Sequence, residues 1–435
     1  DYTGHWAGLC ALGIFFLAYV LVILEEITGM AKSKPVLLAA GLIWALIGVA
    51  FALTGQSDFA HEAALGVIEE YGELFLFLIV AVTYVNTLEE RRAFDVLRGV
   101  LVRAGLSYRQ LFVLTGVLAF SLSPVLDNLT TALVIGAVVT ALGRDSAKFT
   151  VVSCISVVVA ANAGGAFSPF GDITTLMVWQ QGKLGFFEFF ALFVPSVVNW
   201  ALPAVIMIWS VPKGRPQMGH DRVRPKPGMW AVVALFAATI ATSVLFKNAL
   251  NLPPAMGMML GLGYLQALAY SLRLSGGRRR DEDMVLDSFA QVQRVEWDTL
   301  LFFFGIIFAV GGLGVLGYLA LASEVLYVGL GPMAANIIIG ALSAVIDNIP
   351  LMFAVLTMDP AMSHGHWLLI TLTCGVGGSI LSIGSAAGVA LMGQAGAVVA
   401  HFGNQFDRPM IEAQLARFAT DPVPPHRPAA CCAPR

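Results

Sequence analysis

Charge is what this sequence has little of. Aspartate, glutamate, lysine and arginine make up 12% of the 435 residues against 58% hydrophobic ones, and the mean hydropathy is +0.80. That balance excludes an ordinary soluble domain and points to an all-α, polytopic membrane protein. Metal-ligand spacing is also lacking. The five cysteines, Cys10, Cys154, Cys374, Cys431 and Cys432, form neither a zinc pattern nor a disulfide framework. Cys154 and Cys374 are expected to behave as small buried apolar residues. No resident cofactor and no nucleic-acid partner are expected. No cleavable signal peptide is evident, and a start at Asp1 suggests a processed or trimmed N-terminus. The net charge of −3 carries little information, because in a bilayer the position of charge matters more than its sum.

What is there is a series of apolar runs near the roughly 20 residues a bilayer requires. The expected spans are Trp6–Ile27, Pro35–Leu53, Leu74–Leu88, Phe187–Val211, Met229–Phe246, Pro254–Leu272 and Leu300–Leu319. An acidic loop to Glu70 precedes the third. Glu89–Gln110 interleaves Arg91, Arg92, Arg98, Arg103 and Arg109 with apolar residues. It reads as a basic helix on the membrane surface or, equally, as a solvated loop helix. Two further stretches, Leu111–Leu142 and Pro332–Met358, read as re-entrant hairpins. Phe149–Gln180 and Trp367–Ala400 read as broken segments, the former interrupted at Gly164–Asp172, and the His364-Gly365-His366 loop precedes the latter. Lys32 and Lys34, the Arg91–Arg109 helix, Arg144 and Lys148, the Lys213–Lys226 linker and Arg273–Arg294 all fall on one side. By the positive-inside rule that side is the cytoplasm.

The chemistry sits at the breaks. Ser121 to Thr131 places Asp127 and Asn128 between two apolar runs, with Pro124 expected to stop a continuous helix. An acidic residue at that depth is costly and reads as functional. The phrase returns 220 residues later, where Ser343-Ala344-Val345-Ile346-Asp347-Asn348 repeats the Asp-Asn pair. Downstream of each copy comes a Gly-Gly, Ser and Gly interruption, at Gly164–Asp172 and at Gly377–Ser385. Corresponding interruptions in two halves predict two inverted repeats with the binding site at their junction. The expected organisation is an N-terminal helix and loop (1–34), a first repeat (35–211), a cytoplasmic linker (212–228), a second repeat (229–401) and an atypical tail (402–435). No window after Ala400 is long and apolar enough to be the second repeat's last span.

Asp127, Asp172 and Asp347 are the three carboxylates within the apolar segments. Thr130, Thr131, Asn162, Ser168, Thr174, Thr175, Asn348, Ser379, Ser382 and Ser385 cluster with them in sequence. Hard oxygen ligands of this kind suit Na⁺ or Li⁺, and no soft donors gather to suggest a transition metal. A low dielectric disfavours an empty carboxylate, whereas a proton or a bound cation neutralises it. If the two compete for the same oxygens and only neutralised states cross, exchange follows. Asp127 and Asp347 are the expected shared carboxylates, with Asp172 a third. Asn128, Thr130, Thr131, Ser168, Thr174, Thr175, Asn348, Ser382 and Ser385 are the expected cation ligands. Plainer roles stand beside these. Asp172 could only cap a helix, the asparagines could only satisfy backbone at the tips, and the hydroxyls could bond back to their own helices.

Four phrases resemble NhaD-type sodium/proton antiporters, a branch of the ion-transporter superfamily. They are Ser123–Leu133, Ala161–Thr175, Asp347–Leu351 and Gly377–Gly388, and the resemblance runs from Trp6 to Gln394. It implies antiport of Na⁺ or Li⁺ for H⁺ in a bacterial inner membrane, on two inverted repeats that each hold a re-entrant hairpin and an unwound helix. Carried over by position, the important residues would be Asp127, Asn128, Thr130, Asp172, Thr174, Asp347, Asn348, Ser382 and Ser385. The expected partners are alkali cations, protons and the lipid bilayer, and a homodimer is compatible with the resemblance. An anion or arsenite carrier of the same superfamily is the alternative, less compatible with acidic tips. An intramembrane aspartyl protease would leave the repeated Asp-Asn hairpins without a role.

Overall fold

The structure, a computed structural model, describes residues 2–143, 146–216, 224–279, 286–381, 385, 387–388 and 391. Among them every regular element is helical, as lipid demands of a backbone that must satisfy its own N–H and C=O groups. Among the described residues eight helical segments are long and apolar enough to cross a bilayer, so the chain is a multi-pass membrane protein.

Helix α1 (Trp6–Ile23) ends earlier than its apolar run. The chain turns through a short α2 (Glu25–Thr28) and Gly29, at φ +63°, into α3 (Ser33–Leu53). The stretch up to Glu70, expected as an acidic loop, is the first half of a continuous 34-residue helix, α4 (Ser57–Glu90). It contains no proline and is rich in Ala, Leu and Glu, so nothing local stops it. The basic surface helix shrinks to α5 (Ala93–Arg103), and Arg91, just before it, is fully buried. Its guanidinium donates to the Pro227 carbonyl at 3.2 Å and pairs with Glu90 at 3.2 Å, which makes a buried charge tolerable.

Helix α6 (Tyr108–Leu126) opens on a Ser107–Gln110 capping box and runs straight through Pro124. The break expected there comes at Asp127 instead. A proline two residues from a helix end loses only its bond to the residue four before it, and the last turn survives. Helix α7 (Asn128–Leu142) follows immediately, then α8 (Ala147–Gly165), an irregular stretch over 166–172, and α9 (Ile173–Gln180). A 3₁₀ segment, Phe186–Leu192, leads into α10 (Phe193–Met207). Then come α11 (Met229–Ala249), α12 (Pro254–Arg279), α13 (Ser288–Gln293), α14 (Trp297–Val315) and α15 (Tyr318–Ser323), which continues as a π turn over Glu324–Gly329. The last described helices are α16 (Pro332–Leu342), α17 (Asn348–Met358) and α18 (His364–Gly377). His364 and His366 open α18 rather than occupying a loop, and the Ser363 hydroxyl meets His366 Nδ1 at 3.0 Å.

Two apolar cores hold these helices. One joins faces of α1, α3, α4, α9, α14 and α17; the other joins α6, α7, α8 and α10. Helix α6 lies along α8, and α16 lies along α18 in the same way. Glycine makes the first contact close: a Cβ on Gly164 would stand 2.3 Å from the Phe120 carbonyl oxygen, the acceptor that Pro124 leaves without its N–H. The tail, the position of a final span, and the loop cations Arg144, Arg222 and Arg280 lie outside the described residues.

Candidate cation site

Each of the three aspartates is the N-cap of a helix. Asp127 is both the C-cap of α6 and the N-cap of α7: its Oδ1 accepts from Thr130 N–H at 2.8 Å and its Oδ2 from the Thr130 hydroxyl at 2.8 Å. Its φ of +63° with ψ 163° is a backbone region that non-glycine residues enter only at a cost. Asp172 caps α9 through Thr174 N–H at 3.1 Å, and Asp347 caps α17 through Ile349 N–H at 3.2 Å. Capping satisfies N–H groups that the breaks would otherwise orphan, and a carboxylate suits the positive end of a helix dipole. The plain capping role and a place at the site therefore coexist in the same side chains.

The three caps meet around Asp172. Its Oδ2 accepts from Asn128 Nδ2 at 3.1 Å and from Asn348 Nδ2 at 3.1 Å, so both Asp-Asn pairs converge on one oxygen. Asn162 continues the network. Its Oδ1 accepts from Asn128 at 3.1 Å, and its Nδ2 donates to the Ser379 hydroxyl at 2.8 Å and the Ser385 hydroxyl at 3.2 Å. The two interrupted segments are thus joined by one asparagine. Asp172 is buried at 4% exposure, whereas Asp127 and Asp347 are half-buried and open onto a cavity of about 650 Å³.

Asn128, Thr130, Asp172, Asn348 and Ser385 line that cavity with the other two aspartates. Thr131, Ser168, Thr174 and Thr175 stand behind it. The Ser168 hydroxyl donates to the Pro124 carbonyl at 2.8 Å, and Thr175 donates to the carbonyls of Ser168 at 2.7 Å and Asp172 at 2.6 Å. These bonds hold the 166–172 stretch in shape. The buried hydroxyls of Thr131 and Thr174 have no hydrogen-bond partner among the described residues. Ser382 lies outside the described residues.

Basic and acidic side chains gather at one end of the cavity, among α3, α4, α5 and α14. Lys32, Arg98, Arg294, Glu296 and Asp298 line it. A separate cavity of about 290 Å³ lies on the other side, lined by Glu69, Glu70, Glu73 and Gln180. Along α4 the boundary falls between Leu74 and Phe77, and along α9 between Leu176 and Met177. Apolar side chains of α4 and α9, Leu74, Phe77, Leu176 and Met177, therefore lie where the two cavities approach each other.

The residues converge on hard oxygen donors, and among the described residues no cluster of His, Cys, Asp and Glu suits a transition metal. A family model described as citrate transporter matches residues 19–375. The chain is 52% identical over 430 residues to the Na⁺/H⁺ antiporter NhaD of Alkalimonas amylolytica, covering 94% of this chain and 89% of that one. It is 50% identical over 414 residues to the NhaD of Vibrio cholerae, covering 91% and 87%. The chain belongs to the NhaD family. NhaD proteins are transporters rather than enzymes, so the protease alternative falls away. A more distant relative, sodium/proton antiporter 1 of Arabidopsis thaliana, is 33% identical over 398 residues, 87% of this chain and 66% of that one.

Two members of the site carry no signal beyond their residue type. Tyr19, in the apolar run of α1, lies close to Asp347. Lys32 counts in the sequence only as one of the flanking charges. A tyrosine in a span is the sole hint of the first; nothing in the linear sequence reveals the second, because α1 and α3 reach Asp347 across more than 300 residues.

Proposed function

We propose that the protein is a secondary antiporter that exchanges Na⁺ and Li⁺ for H⁺ across the bacterial inner membrane. Asp127 and Asp347 are the carboxylates for which cation and proton compete. Asp172 is the anchor that holds the tips of two inverted repeats together, each repeat contributing a re-entrant hairpin and a broken helix. The carrying observation is the pair of half-exposed carboxylates that open onto one cavity while their neighbouring asparagines share one Asp172 oxygen. An ion entering from the basic, cytoplasmic side meets two carboxylates whose remaining lone pairs face water. Thr130, Asn128, Asn348 and Ser385 supply further oxygens at the same wall. Either a proton or a monovalent cation cancels the charge that is costly to carry through a low-dielectric region. The apolar side chains of Leu74, Phe77, Leu176 and Met177 keep the far side closed while the near side is open.

The family model's description raises citrate as cargo. A polyanion would have to settle among three carboxylates, so the cation reading is preferred. The test is proton flux in everted membrane vesicles energised by respiration, with Na⁺, Li⁺, K⁺ and citrate added in turn. Collapse of the pH gradient by Na⁺ and Li⁺, lost in Asp127→Asn and Asp347→Asn at equal expression, is the expected result. A response to citrate alone, or unchanged Na⁺ response in both variants, would overturn the proposal.

A further inference from the structure

Lys32 occupies an unusual place. It is the N-cap of α3, where the exposed N–H groups make a positive charge unfavourable, and its side chain makes no capping bond. Its surroundings compensate. The ammonium is 3.5 Å from Glu25 Oε2, and its backbone N–H donates to Glu25 Oε1 at 3.3 Å. The neighbouring Ser33 hydroxyl is hydrogen-bonded to Asp298 in the first turn of α14. The ammonium is only half-buried, lines the same cavity as Asp347, and is the cation whose charge acts on Asp347. The other cations of that wall are engaged elsewhere: Arg98 is 3.5 Å from Asp95, and Arg294 donates to Gln291 Oε1 at 3.4 Å.

The elbow formed by the end of α1, by α2 and by the start of α3 thus presents one ammonium, paired with Glu25, to the cavity that Asp347 also lines. Glu25 lies on the elbow itself. Asp347 lines the cavity, with Tyr19 of α1 close by. Glu296 and Asp298, also lining the cavity, add negative charge on the α14 side. A four-carbon stem carries a compact point charge that reorients cheaply, which an arginine fork does less readily.

We propose that Lys32 is an internal competitor for the cation at Asp347. Its ammonium offsets the carboxylate when no ion is bound and is drawn to Glu25 when Na⁺ arrives. Lys32 would thereby set how tightly Na⁺ is held, and Glu25 would set how far Lys32 intrudes. This inference rests on the antiporter reading above, with Asp347 as a shared carboxylate.

The experiment is Na⁺-dependent collapse of the pH gradient in everted vesicles at one alkaline pH, resolved into half-saturating Na⁺ concentration and maximal rate. Removing the ammonium in Lys32→Gln should lower the half-saturating concentration by about threefold to tenfold, the effect of losing one nearby like charge. Glu25→Gln frees the ammonium for Asp347 and should raise it by a similar factor. Lys32→Arg, which keeps the charge on a fork that reorients less readily, should fall between wild type and Lys32→Gln. Opposite shifts in the two neutralising variants support the proposal, because loss of packing would move both the same way or change only the maximal rate. Shifts of the same sign, or none, overturn it. If Lys32→Gln fails to reach the membrane, Glu25→Gln alone decides by the sign of its shift. A wild-type protein that does not exchange Na⁺ would sink the antiporter reading first, and this inference with it; normal wild-type exchange with unshifted variants would sink this inference alone.

Discussion

Asn128 and Asn348, 220 residues apart in the chain, donate to the same oxygen of Asp172, each at 3.1 Å. Two side-chain amides on one carboxylate oxygen fix the spacing of the two helix starts, α7 and α17, relative to α9. The half-exposed carboxylates next to those amides, Asp127 and Asp347, inherit that spacing.

Asp172→Asn should be a severe change despite its small volume. In one amide orientation the new NH₂ faces the NH₂ groups of Asn128 and Asn348; in the other it faces Thr174 N–H. Either way buried donors lose their acceptor, at about 1–3 kcal/mol for each. A lowered melting temperature in detergent together with lost exchange is expected. Retained stability would mean that Asp172 is not the anchor of the two tips.

Asn128→Ala and Asn348→Ala should each weaken the protein, by about 1–2 kcal/mol. Because they share one acceptor, the double variant should depart from the sum of the singles. A double-mutant cycle on thermal unfolding reads this directly, and strict additivity would show that the shared oxygen does not couple the two tips.

The proposed competition fixes the sign of the pH dependence. On that reading, a fall in pH puts protons on more of Asp127 and Asp347, and more Na⁺ is needed to displace them. The half-saturating Na⁺ concentration should therefore climb as the medium becomes more acid, approaching about tenfold per pH unit where the proton is the main occupant. Maximal rates at saturating Na⁺ should change far less. A pH effect confined to the maximal rate would place proton and cation on different groups.

Gly164→Ala tests the packing that carries the site. The added methyl would stand 2.3 Å from the Phe120 carbonyl, a backbone atom that cannot swing aside. Helices α6 and α8 must separate, at a cost of about 1–3 kcal/mol. The melting temperature should fall, whereas the open-facing Gly263→Ala, whose new methyl meets nothing within 4 Å, should leave it unchanged or raise it slightly.

Much of the site was legible in the sequence because membranes make polar residues conspicuous. Asp127 and Asp347 stand out as carboxylates in apolar runs, and the repeated Asp-Asn phrase ties them together without coordinates. The acidic stretch before Leu74 misled for the complementary reason. Charge suggested a loop, but Ser57–Glu90 lacks any residue that stops a helix, and α4 simply continues. Pro124 misled as well, since its effect depends on distance from the helix end, which composition does not give.

The sequence by itself determined that the chain is helical, spans a membrane several times and carries three aspartates at interruptions of its apolar segments, since hydrophobic length and charge within it are local properties. Tertiary structure alone decided the surroundings of the carboxylates. Asp172 became the buried anchor and Asp127 and Asp347 the cavity-facing pair because burial and hydrogen-bond partners depend on which helix ends meet. Tyr19 and Lys32 joined the site for the same reason: α1 and α3 reach Asp347 only after the chain has folded back on itself, and no local pattern encodes that approach.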